Sequence, residues 1–430
     1  MTAAVDRPFG FWLATALVIG NIVGAGIFVL PSQLASYGAT GAVAWFVTIA
    51  GSLALGWALA GLTRARPQSP SSMAICSEAL GPMAGLLIGW SYWVSTWASL
   101  AVIASSAARY LATFVPVLAD TPLHLSITAV ALLGGLTLFN LRGVRSAGHF
   151  QLVTTLLKLL PLLAVVIILA GLALAGGGRF HETPHAALSA GQLTPAITLA
   201  MFALIGFESA SLAAERVRDP QRNVVRATLA GLVITGLLYV IVCTGIVFAM
   251  PEAELAAANA PMALFVATFW GSWAGYAVAA FAAIAAIGCL NGWILLQGEM
   301  PLSMVRAGVL PTWIARPDAR GVAVTPIVAS SVLAAVLVLS SASRGTAGLF
   351  DFMMRLTSAT NMFLYIGIGL AALVFRTRPV AGALGLAFAL WVLWGSGLEA
   401  GGWGIVLMLT ALPLYWLRPR SAEATTQPAE

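Results

Sequence analysis

The sequence predicts an all-α membrane protein of twelve transmembrane helices, arranged as two five-helix units of opposite orientation followed by two C-terminal helices. Three observations carry that expectation. The 430 residues are 60% hydrophobic and 8% charged, against roughly 25% charged in a soluble domain. Apolar runs of about 20 residues, enough to cross a bilayer, recur along the chain. The basic residues fall almost entirely in alternate gaps between those runs.

In order, the runs cover roughly 10–37, 41–63, 82–117, 122–141, 147–176, 192–215, 225–250, 262–298, 322–342, 346–375, 379–397 and 401–417. Of the 21 Lys and Arg residues, those at 7, 64, 66, 142, 145, 216, 218, 222, 226, 306, 316, 320, 376, 378, 418 and 420 lie in the even-numbered gaps and the two tails. The opposite side holds Arg179 and Arg344, so the positive-inside rule puts both termini in the cytoplasm. Arg109, Lys158 and Arg355 fall within or near spans. The net charge of +6 is scattered singly and forms no basic face, so no nucleic-acid partner is expected; the partners are the lipid bilayer and a small molecule.

The expected divisions are a cytoplasmic N-terminus at 1–9, a first unit at 10–176, a second at 177–375, the last two spans at 376–417 and a disordered cytoplasmic tail at 418–430. The tail is rich in Ser, Glu, Thr, Gln and Pro. The first apolar run is too long for the core of a cleavable signal peptide, and its flanking charges, Asp6 and Arg7, stand only before it. Cys76, Cys243 and Cys289 are an odd set in or beside apolar segments, which suits small buried hydrophobes better than disulfides.

Span 1 carries glycines at 20, 24 and 26 inside the run from Phe9 to Leu34. Lipid supplies no water to freed backbone groups, so an interruption there must line a buried or wet cavity. Spans 1–5 and 6–10 would enter the membrane from opposite sides, which predicts a matching weakness in span 6. It stands at Ile205-Gly206-Phe207-Glu208, where a glycine and a carboxylate sit mid-span. Alone, Gly206 reads equally well as a helix-packing residue beside Ala210. Paired with the first break, it points to a binding site near the bilayer midplane.

Several ordered motifs carry a family resemblance: GNIVGAGIFVLP at 20–31, LGPMAGLLIGWSYW at 80–93, IGFESAS at 205–211, RVRDPQRNVVRAT at 216–228, GW at 292–293 and GSG at 395–397. On these the chain resembles the amino acid–polyamine–organocation transporters, most closely their arginine/agmatine and polyamine exchangers. The resemblance implies a LeuT-type 5+5 inverted repeat with broken helices 1 and 6 plus two further helices, often as a homodimer. It also implies exchange or proton-linked uptake of amino acids or their amines across the cytoplasmic membrane by alternating access, with no cofactor.

The resemblance and the physics of open helix ends assign the same roles. N–H groups of Ala25, Gly26 and Ile27 begin a half-helix and face the substrate carboxylate, with the positive dipole end behind them. Carbonyls of Ile22, Phe202 and Ile205 take the ammonium, with Asn21 and Gly206 in the same two breaks. Around the substrate side chain, this sequence has Leu100 and Phe202 where the arginine/agmatine antiporter has asparagine and tryptophan. Trp293 is retained and stacks on a cation at ~0.5–2 kcal/mol. Ser95, Thr96 and Thr357 are the remaining polar contacts. Loss of the amide removes an acceptor for a guanidinium, so a neutral or less polar amino acid is expected ahead of arginine/agmatine exchange, with diamines behind both.

Two ionisable residues are candidates for coupling or gating. Glu208 lies deep in span 6 as a proton carrier, a gate or a partner for a cationic substrate. Its alternative partner, Arg355, is one turn from Asp351 and is expected to pair there instead. Lys158 is the sole lysine, set in Leu156-Leu157-Lys158-Leu159-Leu160. Sodium-coupled relatives hold a cation between spans 1, 5 and 8, and some sodium-independent members place a lysine amine at that point. The resemblance therefore has Lys158 binding carbonyls of the span 1 break, as a coupling group or as a static tether.

Other chemistry is refused. His181-Glu182-Thr183-Pro184-His185 spells H-E-x-x-H, but Pro184 and the preceding Gly176-Gly177-Gly178 argue for a loop, so no metal is expected. No phosphate-binding loop is present, which leaves gradients or exchange as the energy source. An ion channel would need a continuous polar pore, and a membrane-embedded enzyme a nucleophile and base. Neither is apparent.

Overall fold

The computed structural model describes residues 10–24, 26–67, 69, 71–142, 157–178, 180, 186–208, 217–306, 308–318, 322–340 and 345–417. Among them every regular element is helical. The chain opens with α1 (Phe11–Ile22) and α2 (Gly26–Leu34), then α3 (Gly38–Ala65), α4 (Ser72–Leu80), α5 (Pro82–Leu111) and α6 (Pro122–Asn140). Next come α7 (Leu159–Leu174), α8 (Ala190–Leu204), α9 (Pro220–Tyr239), α10 (Gly245–Ala249), α11 (Glu252–Ala257) and α12 (Pro261–Trp270). The last are α13 (Ser272–Arg306), α14 (Val324–Ser340), α15 (Gly345–Val374), α16 (Pro379–Gly395), α17 (Gly397–Leu409) and α18 (Leu412–Leu417). Seven described stretches are long and apolar enough to cross a membrane, and six shorter apolar helices accompany them.

Helix limits follow local chemistry. Proline, whose missing N–H costs nothing in a first turn, opens α5, α6, α9, α12 and α16. Thr121 caps α6 by accepting from the His124 N–H at 3.2 Å. Between α9 and α10 the helix widens into a π-turn over Val240–Thr244.

Several expected limits need correction. The run at 262–298 is two helices, because Gly271 turns the chain at φ +90° between α12 and α13. Hydropathy passes through that glycine unbroken. The last two spans meet at Ser396-Gly397, where Gly397 takes φ +81°, instead of across 398–400. The helix in the run at 82–117 stops at Leu111, and α4 was not foreseen. The 1–9 terminus, the start of the fifth run, the H-E-x-x-H loop and the 418–430 tail lie outside the described residues.

The centre is α5, buried along most of its length and packed against α13 and α15. α1 packs on α9, and α8 lies between α3, α15 and α16. Hydrophobicity gives little reason for helices to associate within lipid, so close packing and interhelical hydrogen bonds carry the contacts. Asn140 Nδ2 of α6 donates to Asn291 Oδ1 of α13 at 2.9 Å, and Thr137 of α6 meets Ser331 of α14 at 2.7 Å.

Close packing makes one glycine a sharp test. A Cβ on Gly51 of α3 would come within 2.3 Å of the Phe388 ring of α16. Gly51→Ala is expected to lower stability by ~1–3 kcal/mol, the usual cost of overpacking, read as a lower thermal midpoint in detergent. An unchanged midpoint would mean that α3 and α16 do not pack as described.

Candidate functional site

The site grows from the ends of α1, α2 and α8. α1 closes at Ile22, whose carbonyl accepts from the Gly24 N–H at 2.7 Å and from the Tyr239 hydroxyl at 2.8 Å. α2 restarts at Gly26, leaving first-turn N–H groups without intrahelical acceptors. α8 ends at Leu204, and Ile205 turns extended at φ −57°, ψ 136°. Gly206 then takes φ +111°, a conformation that favours glycine.

The two interruptions touch. A Cβ on Gly206 would lie 3.2 Å from the Asn21 carbonyl oxygen, and one on Gly26 would lie 3.1 Å from Phe202 Cε1. An added carbon at either glycine would be tighter than an ordinary contact, so the facing group would have to give way by a few tenths of an ångström. Between them is a cavity of about 30 Å³, space for a water or two but not for an amino acid. Asn21, Ile22 and Gly26 line it from the first break, Phe202 and Ile205 from the second, and Trp293 from α13. Gly24, Ala203, Ser99, Ile103 and Cys289 complete the wall.

The other expected site residues stand further out. Ile27 and Leu100 are fully buried in the protein and do not line the cavity. Ser95 donates to the Tyr92 carbonyl at 2.7 Å and accepts from Asn361 Nδ2 at 3.3 Å. Thr96 donates to the Trp93 carbonyl at 2.7 Å. The Thr357 hydroxyl is buried and makes no hydrogen bond among the described residues. Ala25 lies outside the described residues. Sequence reasoning missed Ser99, Ile103 and Cys289; the helical phase of α5 turns residue 99 to the cavity and residue 100 into the core.

Four polar anchors, Glu208, Lys158, Tyr239 and Tyr110, fix the breaks from behind. Glu208 is fully buried and accepts from the Tyr92 hydroxyl of α5 and the Tyr365 hydroxyl of α15, each at 2.8 Å, and from the Gly206 N–H at 3.2 Å. Arg355 is not its partner: it pairs with Asp351 at 2.8 Å, as the four-residue spacing predicts. Lys158, just before α7 and 4% exposed, donates from Nζ to the Gly20 carbonyl in the last turns of α1. Tyr239 holds Ile22, and Tyr110 donates to the Phe28 carbonyl of α2 at 2.6 Å.

Four of the seven tyrosines thus hold the two broken helices or Glu208. The sequence did carry that signal, since a phenol inside a span needs an acceptor.

A polytopic membrane protein with a small cavity between two interrupted helices is the class that fold and site define. The chain belongs to the amino acid permease family, whose match covers residues 9–423. It is 32% identical over 388 residues to a Bacillus subtilis (strain 168) protein provisionally named an arginine/ornithine antiporter, covering 83% of this chain and 81% of that one. It is 26% identical over 349 residues to the cadaverine/lysine antiporter of Escherichia coli (strain K12), covering 80% and 77%. The putrescine transporter PotE of the same strain is 26% identical over 436 residues, covering 97% of each chain. The protein is therefore a membrane transporter of this family and not an enzyme.

The contact of the breaks generates a prediction. Gly206→Ala must strain the backbone at φ +111° and press on Asn21, a cost of ~1–3 kcal/mol for such conformations. Thermal unfolding in detergent should show a lowered midpoint and loss of any substrate-induced stabilisation. Retention of both would mean that Gly206 is only a packing residue.

Proposed function

We propose that the protein is a secondary active transporter that exchanges amino acids across the cytoplasmic membrane by alternating access. The observation that carries this reading is the meeting of two interrupted helices around one small cavity. It supports a LeuT-type arrangement of twelve spans: repeats at 10–176 and 177–375, two further spans at 376–417, and both termini cytoplasmic under the positive-inside rule.

In this reading the substrate carboxylate takes the free N–H groups opening α2, with Ala25, Gly26 and Ile27 as the donors. The ammonium takes carbonyls at the end of α8, Phe202 and Ile205. The Ile22 carbonyl already accepts two hydrogen bonds, so its part is to hold the break in shape. The contracted cavity must widen to admit substrate, and Phe202 and Trp293 are the side chains that move. Lys158 occupies the position of a coupling cation against α1, while Glu208 gates the second break through Tyr92 and Tyr365.

The cavity wall favours a modestly polar substrate side chain, because Ile103, Phe202, Ala203 and Trp293 outnumber the polar side chains Asn21 and Ser99. A second reading, transport of basic amino acids and diamines, is favoured by the names of all three relatives, two of them antiporters, and by Trp293 as a cation-stacking face.

Counterflow in proteoliposomes loaded with leucine, alanine, arginine, ornithine, lysine, agmatine or putrescine tests both readings. Accelerated uptake against a loaded amino acid is expected, and neutral amino acids should be the better partners. Exchange confined to arginine, ornithine, lysine and their amines would establish the second reading, and no counterflow with any compound would remove both. In the same assay Lys158→Ala should lower uptake at least about tenfold, the scale of a lost charged hydrogen bond of ~1.5 kcal/mol. Unchanged rate, pH profile and substrate dependence would deny Lys158 both coupling and tethering roles.

A further inference from the structure

Away from the helix breaks, α3, α9 and α16 form the walls of a second and much larger space, an open surface groove of about 640 Å³. Its wall is almost wholly apolar, with Leu53, Ala54 and Trp57 from α3, Leu229 from α9, and Val380 and Leu384 from α16. Trp57, Val380 and Leu384 are exposed at the protein surface. At one end the lining changes abruptly to a guanidinium, that of Arg378, which precedes α16.

Arg378 is held in place on several sides. Its Cζ lies 3.8 Å from the centroid of the Trp57 ring, and Nη1 donates to the Trp57 carbonyl at 3.0 Å. Its stem runs along Gly61, where a Cβ would come within 3.0 Å of Cδ. The backbone is bent to present it, since Arg376 and Arg378 are two of the three described non-glycine residues with positive φ, at +52° and +54°. That conformation costs free energy for an arginine.

The charged group that acts on Arg378 is another cation. Arg64 stands close enough that its charge, after partial burial, is the next cause holding the Arg378 pKa below the usual arginine value. Arg66 lies over the Phe375 ring at 4.0 Å. No carboxylate pairs with Arg64, Arg66, Arg376 or Arg378 among the described residues, where the ion pair formed is Arg355 with Asp351. A guanidinium has five N–H donors, and the Trp57 carbonyl takes one. Solvated arginines at span ends need no partner, but Arg378 feels the charge of Arg64 and stands in the wall of an open apolar groove. The group that would neutralise them and fill the trough is an amphiphile with an anionic head.

We propose that this groove binds an anionic phospholipid, its phosphate at Arg378 and Arg64 and an acyl chain along Trp57, Leu229 and Leu384. Residues 64–66 and 376–378 belong to the basic, cytoplasmic side in the sequence pattern, where anionic headgroups gather and attract such residues. The lipid would join α16 to α3 and α9, and α9 packs directly on α1, so occupancy would bear on the helix that carries the first break.

The test titrates the detergent-solubilised full-length protein with dioleoylphosphatidylglycerol and with dioleoylphosphatidylcholine. Retained lipid is counted by native mass spectrometry, and stability is read by thermal shift. The glycerol lipid should be retained preferentially and raise the midpoint, whereas the choline lipid and inorganic phosphate should not. Arg378→Gln should weaken its retention about fivefold, the scale expected for one arginine near an anionic headgroup, with Arg64→Gln acting in the same direction. Equal retention of the two lipids, an equal shift with inorganic phosphate, or undiminished retention in both variants would overturn the proposal. If Arg378→Gln does not fold, the wild-type lipid comparison and the surface variant Arg64→Gln decide the matter.

Discussion

The structure depends on one constraint: two helices that each stop in the membrane must satisfy their open ends against each other and against fixed neighbours. Gly206 sits where a single added carbon would reach the Asn21 carbonyl, and Gly26 where one would reach the Phe202 ring. In lipid an unsatisfied backbone group costs several kcal/mol. The interruption in α1–α2 therefore persists only because α8 ends beside it and because side chains from other helices take up the freed carbonyls.

Those side chains explain the placement of much of the rest. Lys158 reaches Gly20, Tyr239 reaches Ile22 and Tyr110 reaches Phe28, so the first break is held from three separate helical segments. The second break is held through one buried carboxylate, Glu208, by tyrosines of α5 and α15. The α5 core helix thus supplies Tyr110 to one break and Tyr92 to the other.

Much of the fold was legible because lipid imposes strict rules. The glycines at 20, 24 and 26 and the Gly206-Glu208 pair could be read as interruptions, since neither a weak helix nor a carboxylate is tolerated mid-span without cause. Hydropathy alone could not see the turn at Gly271, which lies in continuous apolar sequence, or α4, which is short and of mixed character. At the site, the break residues Asn21, Ile22, Gly26, Phe202 and Ile205 line the cavity together with Trp293. Leu100 does not, because the wall is set by helix phase, which places Ser99 and Ile103 inward. The supporting tyrosines were legible only in part: a phenol inside an apolar run signals that an acceptor is needed, but the acceptor is distant in sequence and could not be named from it.

The central claim is that substrate binds between the two helix breaks, and a native residue reports on that space. All three cysteines are buried, but Cys289 lines the cavity and keeps 8% exposure, whereas Cys76 and Cys243 have none and lie outside it. Alkylation of the wild-type protein in membranes, located by peptide mass spectrometry, should mark Cys289 ahead of the other two. A transported amino acid should protect it, with half-protection near the concentration that half-saturates uptake. Labelling of Cys289 at the same rate with and without saturating substrate would contradict the account.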